Sequence, residues 1–287
     1  MTWPPGTHIE PRFPGTREHV HASEAIERAD WREAYRSVDP ATAEAFGIRF
    51  ERLGHVDLLI MTHVDLLMFN RMSGLGVDEP ASEELLDQAI GRYRKAGVPR
   101  FFVGVSVAAR PIQLTDWITG RGLSLHNSWV KLTRPVDPIP NAFTTARIKE
   151  IGREHANDFG RTIQTVFGMP ERMADWAAAL VGQPGRRHFM AFVHDKPVGT
   201  AALYYEGDWA EFGYAAVLPE ARGKGIQAAL IAARIRAARE AGCKWISMET
   251  AEETLEKPSY SFRNAKRMGF ETMYLRPNYL GTTTSST

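Results

Sequence analysis

The chain has one cysteine, Cys243, in 287 residues, which excludes an internal disulfide framework. Net charge is also nearly absent: 35 Lys and Arg against 34 Asp and Glu leave +1. That balance lacks the basic footprint of a nucleic-acid or acidic-membrane binder. No apolar run approaches the ~20 residues needed to cross a bilayer. The first residues, MTWPPGTHIEPRFPGT, lack a basic-then-apolar leader. A cytoplasmic location is therefore expected. The nine histidines form no HxxxH or HExxH pair, and His19 and His21 stand in the N-terminal lead-in, so no metal is expected. There is no GxSxG elbow, no GK(S/T) phosphate loop and no GxGxxG fingerprint. Serine-hydrolase, common nucleotide-loop and dinucleotide-fold readings lose their support. What remains is 44% hydrophobic and 24% charged, the profile of one large or two ordinary soluble domains.

Residues 214–230, YAAVLPEARGKGIQAAL, carry the most information. An apolar run ends in a proline turn, a basic glycine-containing segment follows, and an Ala-rich helical run begins. This is a strand that stops and a helix that starts. The first N–H groups of a helix have no partner within it, and the helix dipole makes that end attractive to anions. Gly223 and Gly225 allow close approach to the backbone, and Arg222 and Lys224 add positive charge. The segment suits a diphosphate.

The run Arg222-Gly223-Lys224-Gly225-Ile226-Gln227 resembles the (R/Q)xxGx(G/A) signature of the GNAT superfamily, the acyl-CoA-dependent N-acyltransferases. Gln227 departs from it, since the family has Gly or Ala there. A longer side chain alters the phosphate fit or donates an extra hydrogen bond to it. The surroundings resemble the family in order: KPVGTAALYY its third strand, WAEFGYAAVLP its fourth, AGCKWISMET its fifth, and FRNAKRMGF the helix before the last hairpin. The resemblance covers about residues 145–280.

A repeat extends the reading to the rest of the chain. YRKAGVPRFFVGVSV and AREAGCKWISMETA share helix, Ala-Gly turn and strand, with Ala96-Gly97 and Ala241-Gly242 145 positions apart. Gly122 in TGRGL and Gly269 in KRMGF lie 147 apart. The expected architecture is α/β (α+β): two tandem GNAT-like domains, each a mixed, largely antiparallel sheet flanked by helices. The expected divisions are an arm at 1–22, a degenerate copy at 23–135, a Pro-rich linker at 136–143, an acyl-CoA-binding domain at 144–281 and a disordered tail at 282–287. Residues 23–47 read as helical with a break at Asp39-Pro40. The stretch RFERLGHVDLLIMTHVDLLMFNR, containing HVDLL twice, reads as strand, and residues 82–96 as an amphipathic helix capped by Ser82. In the first copy Asp78 and Glu79 stand where Arg and Lys stand later. They satisfy the helix dipole themselves and repel a diphosphate, so this copy is expected to be scaffold and one wall of the acceptor site.

Acyl transfer from a thioester to an amine requires holding the thioester, deprotonating the amine, stabilising the oxyanion and releasing the thiolate. The amides of a pantetheine arm pair with a free strand edge, and Ala215, Ala216, Val217 and Leu218 offer one. The diphosphate would lie on the N–H groups of residues 223–228, from Gly223 to Ala228. The resemblance implies the Val217 N–H as oxyanion donor and matches Asn264 to an asparagine that touches the CoA arm. A helix-internal hydrogen bond is the other reading of Asn264. Glu211, on the same strand, is the candidate base. Alternation places it with Gly213 and Ala215 on one face, and apolar Trp209, Phe212 and Tyr214 would raise its pKa. The resemblance supports that role, and a solvated edge carboxylate is the competing reading. The family tyrosine four residues before the Gly-Phe element is replaced by Ala265. Tyr260 or Ser261, or water, takes the acid role, unless Tyr260 is packing or stacking surface. Phe167, Met169 and Trp176 either floor an acceptor pocket or are core. Glu249, Glu252 and Glu253 either attract a cationic amine or form a solvated loop. Cys243 is expected to be inert.

The expected activity is transfer of an acetyl or short acyl group from CoA to a primary amine by direct attack in a ternary complex. Acetyl-CoA or another acyl-CoA is the co-substrate, and the acceptor is a small-molecule or peptide amine. Neither nucleic acid nor membrane is expected as a partner, and monomer and homodimer both remain open. Two rival readings are a non-catalytic acyl-CoA sensor and a tandem aminoacyl transferase fed by charged tRNA.

Overall fold

Short polar residues begin the helices where the sequence places them. In the computed structural model, which describes residues 16–283, the Ser82 hydroxyl accepts the Leu85 N–H, Asp39 accepts that of Thr42, and Ser259 that of Phe262. In chain order the elements are α1 (Arg17–Arg36), α2 (Pro40–Phe46), β1 (Ile48–Leu53), β2 (Val56–Met61), β3 (Arg71–Ser73), α3 (Glu83–Ala96), β4 (Arg100–Gly104), α4 (Leu114–Gly120) and β5 (Ser124–Pro135). The second half adds β6 (Arg147–Ile151), α5 (Ala156–Phe167), α6 (Met173–Ala179), β7 (Arg186–Val193), β8 (Lys196–Glu206), β9 (Trp209–Val217), α7 (Ile226–Glu240), β10 (Trp245–Ala251), α8 (Tyr260–Arg267) and β11 (Glu271–Thr282). From α1 and from α5 onward, helices and strands follow in the same order.

The expected mixed, helix-flanked sheet is present, and the two halves share it. All eleven strands form one sheet in the order β1-β2-β3-β4-β11-β5-β10-β9-β8-β7-β6. The closing strands are exchanged. β5 leaves the first half and pairs with β10, while β11 leaves the second half and pairs with β4. β5 and β11 then pair with each other from Glu271↔Thr133 to Leu280↔Ser124, which joins the halves. Each half keeps one parallel pair, β3 with β4 and β9 with β10.

Alternation along β5 shows why the exchange is stable. Val130 and Leu132 enter the core beneath α7 and α8, while Lys131 and Thr133 are buried on the other face. That other face carries α1, α2, α5 and α6 over a core built from both halves. Tyr35, Phe46 and Phe69 meet Phe159, Trp176 and Met190 there.

Several local readings change. α1 starts at Arg17, inside the segment read as an arm, and residues 1–15 and 284–287 lie outside the described ones. After the turn residue His55 the first HVDLL is strand, but the second runs from a bend into a 3-10 turn at Leu67–Phe69. There Asn70 caps the neighbouring β2 by bonding both the Met61 N–H and carbonyl.

Candidate functional site

Strands β9 and β10 pair in parallel only from Trp209↔Trp245 to Phe212↔Met248. Beyond that point β9 keeps only β8, and β10 keeps only β5 through Glu249↔Lys131 to Ala251↔Trp129. The sheet therefore opens between them. A bulge in β9 drives the divergence: Thr200 faces Ala216 but Ala202 faces Gly213, and Tyr214 takes φ 53. The bulge also corrects the expected alternation. Tyr214, rather than Ala215, follows Glu211 onto the α1 face, where its ring lies 5.8 Å from the Arg186 guanidinium and 6.0 Å from Trp176.

The opened edge carries backbone donors. The Tyr214 carbonyl accepts the Thr200 hydroxyl at 3.0 Å, so the Ala215 N–H, across the same trans peptide, turns away from β8. Leu218 donates to the Val198 carbonyl at 2.9 Å, so Val217 opposite Gly199 is a non-hydrogen-bonded pair with its own N–H and carbonyl turned outward. The Val217 carbonyl receives Arg222 Nε at 3.3 Å. Ala216 and Leu218, of the opposite parity, face β8.

The edge leads to the start of α7. Its N-cap is Gly225 at φ 73, with no side-chain cap and no acid in the first turn. Ala229 bonds back to the Gly225 carbonyl, leaving the N–H groups of Ile226, Gln227 and Ala228 without a helical partner. A Cβ on Gly225 would lie 2.0 Å from the Phe143 carbonyl oxygen, so glycine is required by close packing as well as by dihedral. A Cβ on Gly223, at φ 76, would face open space. Arg222 and Lys224 are exposed, and Thr144 donates to the Lys224 carbonyl at 2.8 Å, so the residue just after the segment read as a linker buttresses the loop. This geometry fits an anionic diphosphate. Ile226 contributes only backbone, because its side chain is core. Gln227 reaches Ser261 at 3.2 Å and receives the Asn264 amide, while Arg267 donates to Asn264 at 3.2 Å. Gln227 thus clips α7 to α8, and the side chains of Asn264 and Ser261 are engaged there.

Glu211 lies one residue pair before the opening, opposite Ser247. At 4% exposure it is no solvated edge carboxylate. Its surroundings are charged rather than apolar, because Phe212 faces α7 while Glu211 faces α1. Lys131 Nζ stands 3.8 Å from it and 2.8 Å from Glu27. Glu27 also accepts Arg71 at 2.7 Å and both Arg276 nitrogens at 2.6 and 2.8 Å. Glu249 pairs with Arg276 and Arg71, and Glu24 with Arg276. Three cations thus face three carboxylates before Glu211 is counted, so ionising Glu211 leaves one charge uncompensated. Burial is the main cause that pushes its pKa up to about 8; Lys131 pulls the other way and Glu27 adds to the rise. Burial also raises Glu27, but Arg276, Lys131 and Arg71 outweigh it and hold that carboxyl well below its ordinary value.

Other expected residues fall elsewhere. Tyr260 is 74% exposed at the start of α8, and Ala265 is core on the sheet face opposite Glu211. Met169 and Trp176 are core, and Phe167 is exposed. Glu249 is bound in the charge cluster, and Glu253 accepts Arg263 Nε and the Ser259 N–H, so neither is a free carboxylate for an amine. Cys243 is buried, and burial lifts its thiol to about 11. Among the described residues no metal-holding cluster occurs. The charge cluster was missed in the sequence, yet Glu24, Glu27 and Asp30 recur every third position of α1, and Lys131 interrupts an apolar strand. Arg234 was missed as well. Fully buried without a carboxylate, it stacks 4.3 Å from Phe212 and bonds the Ala202 and Gly213 carbonyls at the bulge, and burial lowers its pKa to about 9.

In the first half the groups around the start of α3 are already engaged. Asp78 takes Arg28 at 2.8 and 3.0 Å, Ser82 caps α3, and Gly76 pairs with Arg110, whose carbonyl then accepts the Ala81 N–H.

Residues 153–279 match the model of the Acetyltransferase (GNAT) family. The fold agrees. A GCN5-related N-acetyltransferase from Kribbella flavida superposes with a TM-score of 0.63 at 16% identity, over 90% of this chain and 94% of that one. A second from Sphaerobacter thermophilus gives 0.57 at 12%, over 70% and 67%. A tandem GNAT protein from the clavulanic acid biosynthesis pathway gives 0.51 at 17%, over 71% and 70%. At these identities the likeness is one of fold. The family match lies in the second half, and the likeness of fold extends over both halves. A curated peptidyl-tRNA hydrolase of Pediococcus pentosaceus is 35% identical over 60 residues. That segment is 21% of this chain, which spans about a third (31%) of that relative's length.

Proposed function

We propose that the protein transfers an acetyl or short acyl group from acyl-CoA to a primary amine by direct attack in a ternary complex. The observation that carries this reading is the opened β9–β10 edge leading into the uncapped, acid-free start of α7. The outward backbone groups of Ala215 and Val217 pair with the pantetheine arm, and the N–H groups from Gly223 to Ala228, with Arg222 and Lys224, hold the diphosphate. As the amine adds to the thioester carbon, the C–O double bond becomes an oxyanion, and an outward N–H receives it. A donor of this kind is worth about 3 kcal/mol in the barrier. Val217 is the candidate donor. Its Cα lies six residues along the bulged strand from Glu211, at most about 20 Å, so the Ala215 N–H, nearer by two residues, shares the task.

Glu211 accepts the amine proton through water, since its carboxylate is buried behind the opening. A pKa near 8 suits a base near neutral pH. The departing thiolate takes its proton from solvent or from Tyr260, whose exposed ring lies at the α8 start. The acceptor is a small-molecule or peptide amine. We also read residues 23–135 and 144–281 as two copies of one domain, only the second of which holds CoA.

Thiol release from acetyl-CoA across an amine library tests the reading. Turnover with at least one amine supports it. Tight CoA binding without turnover would instead favour a non-catalytic sensor, a reading that the replacement of the family tyrosine by buried Ala265 keeps open.

A further inference from the structure

We propose that Lys131 and Glu27, both from the first half of the chain, are positioning residues that set the proton affinity of Glu211 in the second half. The inference rests on the reading of Glu211 as base and adds to it: the first half completes the catalytic electrostatics as well as providing a wall.

The geometry comes from the strand exchange. β5 crosses to lie beside β10 and thereby carries Lys131, fully buried, to 3.8 Å from Glu211. α1 lies over the same face and holds Lys131 from above through Glu27 at 2.8 Å. Ser247, opposite Glu211 in register, is itself bonded at 2.7 Å to Ser23 of α1. One Glu211 oxygen, Oε2, is buried with no hydrogen-bond partner, while a Ser247 hydrogen bond to the carboxyl favours its charged form.

The remaining charged groups on this face are accounted for. From β3 and β11, Arg71 and Arg276 are both held by Glu27 and Glu249. From α1, Glu24 pairs with Arg276, and Asp30 pairs with Arg186 of β7. Tyr214 of β9 lies beside Arg186. With Asp30 and Arg186 cancelling, the balance at Glu211 turns on Lys131 against Glu27, with Glu249 as the second anion.

The two residues therefore act with opposite sign. Removing Lys131 leaves an anionic Glu211 facing surplus negative charge and raises its proton affinity. Removing the charge of Glu27 leaves Arg71, Lys131 and Arg276 in surplus and lowers it. A merely structural defect would not move a titration midpoint in opposite directions.

The test is the full-length protein in four variants, Lys131→Met, Glu27→Gln, Glu249→Gln and Glu211→Gln, each read two ways. One readout is the pH profile of kcat/KM with acetyl-CoA and an accepted amine. The other is the infrared band of the protonated carboxyl that Glu211→Gln lacks, titrated without substrate. The expected result is a midpoint moved up by about one pH unit or more in Lys131→Met, tenfold in proton affinity, and moved down in Glu27→Gln and Glu249→Gln. Glu249 is 20% exposed, so its variant keeps the test available if Glu27→Gln does not fold. Midpoints that stay fixed, or move one way in every variant, overturn the inference. If Glu211→Gln keeps wild-type turnover and pH profile, the base reading fails by itself, while the infrared titration still decides the electrostatics.

Discussion

Lys131 and Glu211 sit 3.8 Å apart, both buried, one on a strand from the first half and the other on a strand from the second. Their separation is neither a tight ion pair nor solvent-screened, so Lys131 only partly offsets the burial that raises the pKa of Glu211.

Stability should fall across the mildly alkaline range because of Glu211. Its pKa is raised from 4.5 to about 8 on folding, so the unfolded chain holds this proton less tightly than the folded one. The contribution is complete below pH 4.5 and is lost as pH rises through about 8. Thermal unfolding from pH 5 to 9 should show a decline in Tm that Glu211→Gln lacks. A parallel decline in both proteins would refute the assignment. Glu27 has the opposite sign: its lowered pKa contributes stability above its ordinary value of 4.5 that disappears on acidification.

Gly225→Val should abolish CoA binding. The new Cβ meets the Phe143 carbonyl oxygen 2.0 Å away and must adopt φ 73, a conformation costing about 1–3 kcal/mol. Calorimetry should detect at least a hundredfold loss of affinity while circular dichroism stays native. Unchanged affinity would remove the loop from the site.

CoA should bind with a stoichiometry of one per chain. In the first half the α3 start is capped by Ser82 and faced by Asp78 in its pair with Arg28. Asp78→Ala should leave CoA affinity within about twofold, because the loss falls on a partly exposed salt bridge worth about 1 kcal/mol or less. A stoichiometry of two would show the first cleft to be open.

Residues 144–287 expressed alone should not fold. Without β5, the β10 edge from Trp245 to Ala251 loses its partner, and the core beneath α7 and α8 loses Val130 and Leu132. Two such side chains contribute about 3–6 kcal/mol by burial, within the range of a whole domain's stability. Co-expression with residues 1–143 should restore a soluble complex. A folded, monomeric 144–287 fragment by sedimentation and circular dichroism would contradict the shared sheet.

Local chemistry was legible in the sequence. The break at Asp39-Pro40, the Ser82 cap, and the glycines around α7 all act within a few residues, and the structure places them as read. The opening of the sheet was only partly legible. A strand ending in a proline turn is visible in the sequence, but the bulge at Tyr214 is a property of pairing with β8 and reverses the facing read from alternation. Pairing between distant segments left no mark. Nothing in SWVKLTRP states that it lies beside β10 rather than β4, since either neighbour buries Val130 and Leu132. The buried charges were hidden for the same reason. Lys131, Arg276 and Glu27 look like surface residues until three remote elements are brought to one face.

The exchanged closing strands have a consequence for descent. The coding sequence of the first half cannot be deleted without cost to the second, because its last strand is structural material for its neighbour. Substitutions at the α3 start near Asp78 leave that strand in place, whereas any change that removes β5 strips β10 and β11 of a shared neighbour.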